Sequence, residues 1–109
     1  MKDKVTRSLI RKYADQIARQ FHPDKIILFG SYAYGKPSED SDVDILVIMP
    51  FEGKGAHKAT EILLATDPDF PIDLLVRTPE QIRARIKLGD FFLREITEKG
   101  KVLYEAAHA

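Results

Sequence analysis

Three short runs constrain this chain more than any other feature: Lys25 to Phe29, Val43 to Met49 and Ile72 to Val76. Each is strand-sized, and none could span a membrane. The segments between them read as helices. Residues 5 to 21 place Val5, Leu9, Ile10, Tyr13, Ile17 and Phe21 at helical spacing, and His22-Pro23-Asp24 stops that helix. His57 to Ala65 follows the break at Pro50 to Gly55, and Pro68 and Pro71 bracket a turn. Thr78-Pro79-Glu80-Gln81 is a helix start, with Thr78 as cap and Gln81 completing a capping box. Ile82, Ile86 and Leu88 are expected to face the core. Gly89-Asp90 restarts the chain into a last helix packed through Phe91, Phe92 and Ile96. Gly100 ends it, and Val102 to Tyr104 forms a short terminal element.

The predicted order is α-β-β-α-β-α-α. Helices and strands alternate too irregularly for a doubly wound parallel sheet. The expected class is therefore α/β (α+β), a small mixed β-sheet flanked by helices. The 109 residues suit one compact domain, 1–109, and show no internal repeat or low-complexity segment.

Charge narrows the function. Seventeen basic and seventeen acidic side chains cancel. A protein that coats nucleic acid needs a basic excess, so no direct stable nucleic-acid binding is expected. There is no cysteine, which removes thiolate nucleophiles, disulfides and cysteine zinc sites together. MKDKVTRSLIRKY has no apolar stretch of signal-peptide length, so a cytoplasmic protein with no membrane association is expected.

The stretch GSYAYGKP, residues 30 to 37, nearly matches a P-loop, with Gly30, Gly35 and Lys36 in register. A P-loop needs a hydroxyl after its lysine and a helix behind it. Pro37 has no hydroxyl, and Pro37 to Ser41 has no helical periodicity. Gly30 to Ser41 therefore reads as a loop with a helical turn after Ser31. Ser31 has no marked base or orienting partner that would make it a nucleophile.

The useful partner lies downstream. In Ser41-Asp42-Val43-Asp44-Ile45-Leu46-Val47, alternation puts Asp42 and Asp44 on one face of a strand and Val43, Ile45 and Val47 on the other. Adjacent carboxylates repel and are costly to desolvate, so a chain that keeps both usually gives them a cation. Oxygen-only ligands suit Mg²⁺. Asp73 stands inside the otherwise apolar Ile72-Asp73-Leu74-Leu75-Val76. If that strand lies beside Asp42 and Asp44, three carboxylates converge. That is enough for a two-metal site, with ions roughly 3.5–4 Å apart.

Each piece alone has a plainer reading. A D-x-D at a strand entrance is often a solvated edge or a turn cap, and a lone Asp such as Asp73 can cap a backbone group. His22 and His57 lack metal-ligand spacing and read as surface or helix-end residues. Arg77, Arg83, Arg85, Lys87 and Arg94 read either as a solvated helix face or as a place for an acidic partner or an RNA-binding toxin to dock.

The combination is more specific than its parts. Gly30-Ser31, then Ser41-Asp42-Val43-Asp44 with Ile45-Leu46-Val47, then Asp73, resembles the nucleotidyltransferase superfamily that includes DNA polymerase beta. It is similar, more narrowly, to the minimal nucleotidyltransferases of prokaryotic operons. The tail from Arg77-Thr78-Pro79-Glu80 to Lys101-Val102-Leu103-Tyr104-Glu105 shares the likeness. The resemblance implies a nucleotidyltransferase fold in which Asp42, Asp44 and Asp73 are catalytic and hold Mg²⁺ or Mn²⁺. It implies that Gly30 and Ser31 bind the nucleotide, with ATP as substrate. It also implies an antitoxin whose partner is a HEPN-type toxin, silenced by attaching AMP to a tyrosine. Members often carry arginine just after the Gly-Ser, where this chain has Tyr32 and Tyr34. Those rings cannot neutralise phosphate and either stack on a base or pack the loop.

Two functions from different classes compete. One is an enzyme that transfers AMP from ATP to a hydroxyl. The other is an antitoxin that neutralises its partner by binding alone. A template-directed polymerase would need further domains to hold a duplex.

Overall fold

The computed structural model describes residues 5–107. Helix α1 (Arg7–Phe21) leads to strand β1 (Lys25–Phe29), the short helical turn α2 (Ser31–Tyr34) and strand β2 (Val43–Ile48). Helix α3 (Gly55–Thr66), strand β3 (Ile72–Arg77), helices α4 (Pro79–Lys87) and α5 (Phe91–Lys99), and strand β4 (Lys101–Glu105) follow. The strands form one mixed sheet in the order β3-β2-β1-β4, with β2 and β3 parallel and the other pairs antiparallel.

Helices cover both faces of the sheet. Ile26, Leu28, Val43, Ile45, Val47, Leu74 and Val76 pack against α1 and α3, where Ile10, Ile17 and Ile62 are fully buried. Ile27, Phe29, Leu46 and Ile48 pack on the other face against Ile82, Leu93 and Ile96 of α4 and α5. This explains why the strands read as continuous apolar runs rather than alternating ones.

Local signals fix the helix ends. Thr78 accepts a hydrogen bond from the Gln81 backbone N–H at 3.0 Å, and Gln81 Oε1 accepts from the Thr78 N–H at 3.0 Å. Pro79 in the first turn lacks an N–H that no carbonyl in the helix could have accepted. Thr78→Ala should cost about 1 kcal/mol of stability, measured by urea unfolding at an unchanged slope.

Several expectations are corrected. Leu88 and Phe91 do not face the core; they are 79% and 78% exposed, while Phe92, 56% exposed, keeps an edge-on contact with the buried Phe29. Asp90 caps α5 by accepting from the Leu93 N–H at 3.0 Å, which sets the register. Leu93 and Ile96, three apart, then point inward, and Phe91 of the first turn points out. Leu9 likewise lies on the outer side of α1, whose buried stripe is Ile10, Tyr13, Ala14, Ile17 and Ala18. The terminal element is a full strand, and it covers the β1 edge that would otherwise lie open.

Candidate functional site

The site lies where β1 ends and β2 and β3 begin. Parallel pairing of β2 with β3 sets Asp44 directly opposite Asp73, in the same ladder as Ile45 opposite Leu74 and Leu46 opposite Leu75. Antiparallel pairing sets Phe29, the last residue of β1, opposite Asp44. Alternation assigns Asp44 and Asp73 to the α4–α5 face, with Leu46, Leu75 and Phe29. Asp42 precedes β2 by one residue, and the Val43 N–H beside it donates to the Pro71 carbonyl at 2.9 Å. The ladder thus sets Asp44 and Asp73 side by side at one end of the sheet, with Asp42 two residues before Asp44.

The electrostatics bear the mark of that arrangement. Asp44 is half-buried, and its carboxyl is pushed above the usual carboxylate range, first by burial, then by the Asp73 charge and then by the Asp42 charge. Among the described residues, none of these carboxylates forms an ion pair or a side-chain hydrogen bond. Nor does any group of three or more His, Asp or Glu among the described residues already stand close enough to grip an ion. The donor set is an oxygen-only group of like charges with no cation of the chain's own to offset it, which fits a divalent cation.

A carboxyl with a folded pKa above its unfolded value binds its proton more tightly in the folded state. Without ligand, the stabilisation from Asp44 is present at low pH and lost as pH rises through its raised pKa. Like charges directly opposite on paired strands oppose the ladder. Asp73→Asn should therefore raise ligand-free stability near neutral pH by up to about 1 kcal/mol and flatten the pH dependence just above the ordinary carboxylate range, read by urea melts.

Gly30 joins β1 to α2 with φ at +74°, in the region that favours glycine. A Cβ added there would fall on Asp44 Oδ2 and within 3.0 Å of Asp44 Cγ. The glycine therefore makes room for the carboxylate itself, which sequence reasoning missed: it assigned Gly30 only to phosphate approach. The Ala33 and Tyr34 N–H groups donate to the Gly30 carbonyl, so the expected helical turn after Ser31 forms and leaves the Ser31 and Tyr32 N–H groups at its open start.

The remaining loop residues sort by exposure. Tyr32 is partly buried and packs against the α1–α3 core. Tyr34 is about half exposed, and its hydroxyl is raised from its ordinary pKa by burial, then Glu95, then Asp44. Tyr34 thus feels the Asp44 charge, a coupling no sequence signal announced. Lys36, the would-be P-loop lysine, is exposed beyond the turn, and so are His22 and His57.

Comparison with known proteins agrees with this fold. Residues 10–104 match the nucleotidyltransferase domain family. The chain is 37% identical over 81 residues to a candidate protein adenylyltransferase of Methanocaldococcus jannaschii, covering 73% of this chain and 77% of that protein. A second candidate protein adenylyltransferase of the same organism is 34% identical over 77 residues, covering 71% and 75%. Two solved structures share the fold over 89% of this chain and 74% of theirs. One is a toxin–antitoxin with AMP-PNP, at a TM-score of 0.55 and 24% identity. The other is a mutant of the toxin–antitoxin MntA–HpeT, at 0.54 and 19%. No helix among the described residues is long and apolar enough to cross a membrane. With the family spanning nearly the whole chain and the paired aspartates standing at the sheet end, this protein belongs to the nucleotidyltransferase domain family, in its minimal form.

Proposed function

We propose that the chain transfers AMP from ATP to a protein hydroxyl and that it does so as a cytoplasmic antitoxin, with a tyrosine of a HEPN-type toxin as acceptor. The observation that carries the chemistry is the Asp44–Asp73 pair set face to face across parallel strands, with Gly30 making room for it. The relatives named as candidate protein adenylyltransferases support AMP as the group moved. The toxin–antitoxin assemblies of like fold, one with AMP-PNP, support a toxin as partner.

Asp42, Asp44 and Asp73 would hold Mg²⁺ or Mn²⁺, which when bound supplies positive charge against the triphosphate. The Ser31 hydroxyl and the open N–H groups of the α2 turn hydrogen-bond phosphate oxygens, and Gly30 keeps the backbone close to them. The acceptor oxygen bonds to the α-phosphorus, the bond from that phosphorus to the bridging oxygen breaks, and pyrophosphate leaves. The phenol proton passes to Asp73 and on to water; an ordinary phenol, with pKa near 10, needs that help at neutral pH. AMP on the toxin adds negative charge, which repels an RNA substrate.

The test is to mix this protein with its candidate toxin, ATP and Mg²⁺ and weigh the toxin intact. AMP-sized additions are expected with the wild type and none with Asp42→Asn plus Asp44→Asn. A double variant that still neutralises the toxin, with no mass change on it, would establish the binding-only antitoxin instead.

A further inference from the structure

One cavity beside the aspartates is unused by this mechanism. It has a volume of about 430 Å³, and Leu75, Arg77, Arg85 and Phe92 line it. Asp73, Leu75 and Arg77 alternate along β3 on one face, so the cavity begins one side chain beyond the acid pair, on its Asp73 side. Phe92 stands edge-on to Phe29, with ring centroids 5.6 Å apart, and Phe29 is the strand neighbour of Asp44. The cavity therefore neighbours the aspartate end of the sheet.

Its walls have two distinct characters. Phe92 of the lining is 56% exposed, and Leu88 and Phe91, near it in the chain but outside the lining, are 79% and 78% exposed, so apolar side chains lie bare at the α4–α5 junction. Inside, the Arg85 guanidinium is already bound to Asp90 at 3.2 Å. Arg77 is half-buried, donates to the Val76 carbonyl at 2.8 Å and, among the described residues, has no carboxylate partner. A half-buried guanidinium without a counter-charge, in an apolar-edged cavity, calls for an anion. Four residues of strand put the Arg77 Cα roughly 13 Å from the Asp73 Cα, at the other end of β3 from the acids.

We infer that this cavity docks the acceptor polypeptide, whose carboxylate pairs with Arg77 while its apolar side chains cover Leu88, Phe91 and Phe92. The inference rests on AMP transfer to a protein hydroxyl and adds the chemistry of the acceptor: acidic and apolar around the target.

Two random copolymers, glutamate–tyrosine and lysine–tyrosine, serve as probes with α-phosphate-labelled ATP and Mn²⁺. The wild type should label the acidic polymer about tenfold faster or more, and Arg77→Gln should remove that preference. The exposed double variant Leu88→Ser plus Phe91→Ser should lower kcat/KM for the acidic polymer about tenfold, with the stabilisation by ATP and Mn²⁺ unchanged. Equal labelling of both polymers by the wild type overturns the inference. So does loss of ATP stabilisation in Arg77→Gln, which would make nucleotide phosphate the anion at Arg77. Label on neither polymer, with label still reaching the toxin, overturns the inference alone. Label on no protein at all overturns the AMP-transfer reading beneath it.

Discussion

Gly30→Val is expected to abolish nucleotidyl transfer, while Lys36→Ala leaves the rate close to wild type. Two effects act at Gly30. The φ of +74° is an outlier for any β-branched residue. A Cβ would also fall on the Asp44 carboxylate oxygen, so either the carboxylate rotates away or the strand end moves. Displacing a catalytic group by about 1 Å costs on the order of a hundredfold in rate, and valine forces more than that. Lys36 is exposed beyond the α2 turn, on a segment that ends at Pro37 and starts no helix. Steady-state pyrophosphate release from both variants, with circular dichroism to confirm that each is folded, checks the pair of expectations. Loss at Lys36 with retention at Gly30 would return the stretch to a P-loop-like role.

The second large effect is linkage between nucleotide, cation and fold. Ligand at a hundred times its Kd stabilises the native state by about 2.7 kcal/mol, which in a domain of this size raises Tm by about 10 °C or more. ATP with Mg²⁺ should give the wild type a shift of that order, and Asp44→Asn should not receive it. The variant should nonetheless be at least as stable as wild type without ligand, because it removes the half-buried carboxylate that faces Asp73. Stability gained together with ligand response lost is the signature of a cation site. A merely structural aspartate would lose stability on substitution. An equal shift in Asp44→Asn would show that ATP binds elsewhere.

Much of this site was legible because it is local in sequence. The D-x-D at the start of β2, the Gly30-Ser31 at the end of β1 and the lone Asp73 in β3 are each readable as single-strand features. Their meeting depends only on which strands are neighbours. The ladder that sets Asp44 opposite Asp73 was not readable, because register between distant strands is a property of the assembled sheet. The same limit explains the role of Gly30. A glycine at a strand end is ambiguous until the carboxylate from the next strand is seen in the space its side chain would fill. The α4–α5 junction misled for a different reason. Leu88 and Phe91 are apolar and sit near helical spacing, but Leu88 is the exposed C-cap of α4, and the Asp90 cap sets the phase of α5 and turns Phe91 outward. An apolar residue in a first turn reads as core when its purpose lies on the surface. The strand β4 was read only as a short terminal element, since Lys101-Val102-Leu103-Tyr104-Glu105 gains its identity from pairing with β1.

The central claim is that the paired aspartates direct the α-phosphorus of ATP onto a protein hydroxyl. The most direct measurement incubates the protein and its candidate toxin with Mg²⁺ and either α-phosphate-labelled or γ-phosphate-labelled ATP. Label should reach the toxin only from the α-phosphate, with pyrophosphate released in equal amount, and should vanish when Asp42 and Asp44 are both changed to Asn. Label arriving from the γ-phosphate, or undiminished α-label with the double variant, would contradict the account.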